Sequence, residues 1–127
     1  MNSTPNSDRS RTSTQLSERM AQFDVHRNKW SQRDSIPFVV VIQSARFDAY
    51  RRRVVVPLVL RQHAPGVSIS GSRMNPIFTI SGVEVVLNPL QVVSVATDQL
   101  GAVVDSLADH GQQITDAVDE LITMAWG

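Results

Sequence analysis

The sequence predicts a small mainly β domain, an antiparallel sheet curled into a barrel and capped by one C-terminal helix. Three observations carry that expectation. Short β-branched runs recur through the middle of the chain, two of them are joined by a two-residue turn, and a helical apolar period is clear in the last nineteen residues. A run of short strands followed by a terminal helix is the α+β pattern.

The first element is a tail. Met1 to Arg19 is mostly Ser, Thr, Asn and Arg, too polar to offset its own ordering entropy, and is expected to be disordered. The folded domain is expected over residues 20–127. Either residues 1–19 are a true extension or translation begins at Met20. Phe23 and Val25 then alternate with Asp24 and His26, as in a half-exposed strand.

FVVVIQ (38–43) and VVVPLVL (54–60) read as strands buried on both faces. Pro57 within the second implies an edge, a bulge or a bend. The connection SARFDAYRRR (44–53) is too short for a crossover helix, so the two strands pair antiparallel. Residues 61–75 hold two glycines, a proline and several serines, the composition of a loop.

IFTI (77–80) and VEVVL (83–87) are separated only by Ser81-Gly82, a tight hairpin signal. Asn88-Pro89 ends that strand, and QVVSVA (91–96) supplies another. Leu100, Val103, Val104 and Leu107 are spaced for a short helix or a covering loop. In the final stretch Ile114, Ala117, Val118, Leu121, Ile122 and Ala125 form the apolar stripe of an amphipathic helix. Asp109 with Gln112 resembles a capping box at its start. At about 100° per residue Trp126 lies roughly 120° from Ile114, on the shoulder of the stripe. That position suits an anchor offered to another molecule, against the plainer alternative that the ring folds back over its own sheet.

Composition narrows the function classes. Lys plus Arg and Asp plus Glu are 12 each in 127 residues, so net charge points to no nucleic-acid or membrane partner. There is no cysteine, hence no disulfide and no thiolate zinc site. No apolar run approaches the roughly 20 residues that span a bilayer, and no signal-peptide core is present, so a cytoplasmic protein is expected. His26, His63 and His110 are far apart and read as isolated surface or loop residues, so no metal or cofactor is implied. No nucleophile motif or phosphate-binding loop occurs, and no catalytic residue is assigned. Arg51, Arg52 and Arg53 read as the solvated start of a strand.

Residues rather than composition point to a family. MAQFDV from Met20, QSARFDAYRRRVVVPL from Gln43, NPIFTISGVEVVLNPLQVVSVA from Asn75 and the terminal MAWG follow one another in order. Together they resemble the CcdB toxins of bacterial toxin–antitoxin modules. That resemblance implies a homodimer of SH3-like barrels with extra strands, and a toxin that is not an enzyme. Such toxins bind the A subunit of DNA gyrase and hold it on cleaved DNA until a CcdA-like antitoxin removes them. No membrane partner and no sequence-specific DNA binding is implied.

Carried over by position, the gyrase-binding set is Ile122, Thr123, Ala125, Trp126 and Gly127, with Arg46 and Phe47 from the loop after Gln43-Ser44. The antitoxin-binding set is Phe47, Asp119, Met124 and Trp126, and the antitoxin segment is expected to be short, acidic or disordered. Two registers remain open for the helix. Matching the family's Trp-Gly to Trp126-Gly127 lengthens the connection before the helix. Matching its Ala-Ile-Asn to Ala117-Val118-Asp119 places its tryptophan at Thr123. The same barrel also serves MazF/Kid-type messenger-RNA endoribonucleases, for which Arg51, Arg52, Arg53 and Asp48 would have to act. A third reading is an inactive homologue that only binds antitoxin.

Overall fold

The computed structural model describes residues 21–29, 32–43, 52–64 and 73–126, with side chains through Thr123. Seven strands form one antiparallel sheet: β1 (Asp24–Asn28), β2 (Phe38–Val41), β3 (Arg52–Leu60), β4 (Ile77–Ile80), β5 (Val83–Leu87), β6 (Val93–Ala96) and β7 (Leu100–Ser106). Among the described residues one α-helix, α1 (Gly111–Trp126), follows. The strand order is β4-β5-β3-β2-β1-β7, with β6 also on β3, and the sheet curls into a half-barrel. The expected α+β class, with a terminal helix, is borne out.

The β-branched run of β2 is buried on both faces because both faces carry a core. Phe38 and Val40 join a cluster with Val56, Leu58, Ile80, Leu87, Ile114 and Ala117, so α1 packs on this face. Val39 and Val41 join the opposite cluster with Ile36, Val55, Val59, Val95 and Leu100. β3 runs between β2 on one side and two successive strands on the other. Residues 52–55 pair with β6 and 58–60 with β5.

Pro57 sits at that changeover and is buried, not at a sheet edge. Its carbonyl accepts from the Asn88 amide at 3.1 Å, so its nitrogen also faces the gap between β5 and β6. The missing N–H therefore falls where no strand is waiting for it. The Ser81-Gly82 hairpin is as expected: Ile80 pairs with Val83, and both turn residues have positive φ (51° and 78°).

Other expectations are corrected. The stretch anticipated as a short helix or covering loop is a 3-10 turn (Thr97–Gln99) followed by β7. Two register shifts against β1 put extra residues into β7, so its buried positions fall at Leu100, half-buried Val104 and then Leu107 past its end. Bulged spacing imitates the helical period. β1 is not half-exposed: Val25 and His26 are both buried, as is Asn28. His26 is a sheet residue bonded through Nδ1 to the Gly101 carbonyl at 2.9 Å, not a surface histidine, whereas His63 and His110 are exposed.

Arg53 is 1% exposed and faces the second cluster beside its cross-strand partner Val95, so it is no solvated strand start. Arg52 is exposed, but its guanidinium is held on Ser94. The capping box does not form: Asp109 lies in a 3-10 turn (Ala108–His110), and Gln112 donates forward to Asp116 at 2.9 Å. The tail, the arginine-containing loop with Arg46, Phe47, Asp48 and Arg51, and Gly127 fall outside the described residues.

Candidate functional site: the helix and its cleft

α1 leaves the core as it proceeds. Ile114 and Ala117 are fully buried, Val118 and Leu121 are half-buried, and Ile122 is 53% exposed. Thr115, Asp119 and Ile122 form one exposed row along the helix. Position 126 lies about 20° from position 115 around the axis, so it continues that row.

The start of the helix is fixed by Phe23. This residue has φ 71°, an uncommon and strained value for an aromatic side chain. Its amide donates to Val41 at 2.6 Å and its carbonyl accepts from Leu107 at 2.8 Å, so two neighbouring segments hold the conformation. Its ring lies so close to Gly111 that a Cβ there would meet Phe23 Cε2 at 2.6 Å. Between this corner and the helix opens a cleft of about 200 Å³. Phe23, Ile42, Ile114 and Val118 give it apolar walls, and Gln22, Thr115 and Asp119 its polar rim.

Charge on the helix is one-sided. Asp116, Asp119 and Glu120 are its ionic residues, with no Lys, Arg or His from residue 111 to 127. Arg73 reaches Glu120 at 3.5 Å in an exposed pair worth about 0–1 kcal/mol. Like charge disfavours an acidic segment laid along α1. Near β1, burial pushes the Asp24 carboxyl above its usual range, with His26 and an Ala21 backbone bond acting in the opposite direction.

A family model described as CcdB protein matches residues 22–123. The chain belongs to the CcdB family. It is therefore a member of a family of toxin–antitoxin toxins. No curated protein matches the chain significantly. The CcdB match stops at Thr123, so Met124 to Gly127 lie outside it. Among the described residues no group of three or more His, Cys, Asp or Glu side chains is placed to hold a metal ion, and no helix is long and apolar enough to cross a membrane.

Of the residues carried over from CcdB proteins, Asp119, Ile122 and Thr123 are brought together on the outer half of α1, all exposed. Ala125, Met124 and Trp126 continue the same helix in backbone only. The cleft residues Gln22, Phe23 and Ile42 were missed by sequence reasoning. Their signal was faint: an aromatic residue directly before a strand, and a glycine at the first position of a helix.

Proposed function

We propose that this CcdB-family chain is a gyrase poison: it binds the A subunit of DNA gyrase in the cytoplasm and traps the enzyme on cleaved DNA. The observation that carries the reading is the exposed row Thr115–Asp119–Ile122, whose next member is Trp126. An apolar side chain left 53% exposed at Ile122, followed along the same row by a tryptophan position, is the composition of a protein-binding anchor. Ile122, Thr123, Ala125, Trp126 and Gly127 form the gyrase-contacting end, with Arg46 and Phe47 from the loop before β3. The antitoxin contacts the same end through Asp119, Met124, Trp126 and Phe47.

The toxin acts as a homodimer, whose symmetry suits a two-fold target. Leu90, Val92 and Val93 are exposed apolar residues in one short stretch, which supports burial against a second subunit. The role is not catalytic. Arg53 is buried and Arg52 is engaged by Ser94, so neither arginine stands ready to stabilise a phosphodiester transition state. Co-purification tests the reading: the gyrase A subunit is expected to follow the induced chain from cell extract, with a DNA-damage response. Growth arrest accompanied by cleavage of bare RNA, without gyrase, would replace it with the ribonuclease reading.

A further inference from the structure

The balanced net charge conceals a segregation. All 12 Lys and Arg residues precede Met74, and seven of the 12 acids follow it. Such asymmetry along a chain points to partners of opposite charge on different faces. Three surface arginines are engaged locally: Arg52 on Ser94, Arg61 on Glu84 at 3.0 Å and Arg73 on Glu120. Arg27 and Lys29 differ. Both are exposed, and among the described residues no carboxylate pairs with either. Lys29 Nζ donates to the Asp98 main-chain carbonyl at 3.1 Å, a contact that neutralises no charge.

We propose that Arg27 and Lys29 form a docking surface for an acidic, extended peptide segment of a partner protein. Alternation along β1 buries His26 and Asn28 and sets the two bases together on the other face, about 7 Å apart. Carboxylates on alternate residues of an extended peptide have the same spacing. Gly101 keeps the surface open. There β7 approaches so closely that a Cβ would stand 2.9 Å from the Arg27 Cβ, so no side chain flanks Arg27 at that position. Nucleic acid fits less well. Arg27 lies four residues, about 13 Å, along the chain from Phe23, whose ring touches the first residue of the acidic helix. A duplex running past the two bases would bring phosphates toward Asp105, Asp109, Asp116 and Asp119, with no Lys or Arg after Arg73 to offset them. A short peptide can stay on the basic side. The surface shares no residue with α1, and the inference does not depend on any gyrase contact.

The probe is a labelled Glu-Val-Glu-Val-Glu peptide, titrated with the full chain by fluorescence anisotropy. A Lys-Val-Lys-Val-Lys peptide and an oligothymidylate with the acidic peptide's charge serve as comparisons. The acidic peptide is expected to bind, about tenfold more weakly at about 0.5 M than at about 0.05 M salt. R27Q or K29Q alone should weaken it about two- to fivefold, the worth of one exposed ion pair, and R27E/K29E about tenfold or more. The double variant should not weaken the basic peptide, and D116N/D119N should not weaken the acidic one. In the parent chain, amide shifts on adding the acidic peptide should centre on residues 27–29, a readout that needs no variant. No binding of the acidic peptide, undiminished binding by R27E/K29E, or shifts centred elsewhere would overturn the proposal. So would tighter binding of the oligothymidylate that R27E/K29E abolishes, which would assign the pair to nucleic acid.

Discussion

Phe23 and Gly111 are in contact so tight that the glycine's missing Cβ is part of the fold: built there, it would stand 2.6 Å from Phe23 Cε2 and 3.0 Å from Cδ2. The contact joins the residue just before β1 to the first residue of α1.

The substitution Gly111→Ala is therefore expected to destabilise. Alanine in a helix normally gains up to about 1 kcal/mol over glycine, but overpacking a held ring costs about 1–3 kcal/mol. Chemical denaturation should show a net loss. In the double variant with Phe23→Ala the alanine at 111 should become neutral or favourable, because the obstacle is gone.

Ile114 and Ile122 separate core from surface on one helix. Ile114→Ala should cost about 2–5 kcal/mol, as for a fully buried aliphatic truncation. Ile122→Ala, at a side chain 53% exposed, should change stability by about 0.5 kcal/mol or less while weakening partner binding. Paired denaturation and pull-down measurements distinguish the two.

Much of this was legible in the sequence, and the failures have physical causes. The Ser81-Gly82 turn could be read because positive φ at both positions restricts the residues allowed there. β2 and β3 could be read because strands buried on two faces need no alternation. β7 could not, since bulges opposite β1 gave its buried residues a helix-like spacing. Nor could Arg53: the pattern of three arginines says nothing about the second cluster that β3 and β6 enclose around it. The cleft depends on Gln22, Ile42 and Thr115, brought together from distant positions by tertiary packing alone.

Asp24 supplies a pH test. Burial raises its carboxyl above the usual 3.8, so the folded state binds more protons than the unfolded chain as pH passes from 3.8 to the raised value. Across that window the group's contribution to stability falls as pH rises. Asp24→Asn removes the step, and near neutrality the variant should melt higher than the parent. Thermal melts of both proteins from acid to neutral pH check the sign; a variant that melts lower near neutrality contradicts it.

Pro57 makes a further prediction. An amide N–H introduced by Pro57→Ala would face the gap between β5 and β6, buried and without a strand partner. A loss of about 1–3 kcal/mol is expected from that unsatisfied donor, beyond any change in packing. Denaturant titration measures it directly.

The central claim is that the end of α1 engages gyrase. The most direct measurement incubates the purified chain with gyrase, ATP and supercoiled plasmid, then scores linear DNA after denaturing the enzyme, with Trp126→Ala alongside. Linear DNA should accumulate with the parent chain and not with the variant, whose folding stability should fall by far less than the about 3–5 kcal/mol that truncating a buried tryptophan costs. No linear DNA with the parent, or equal amounts with the variant, would contradict the account.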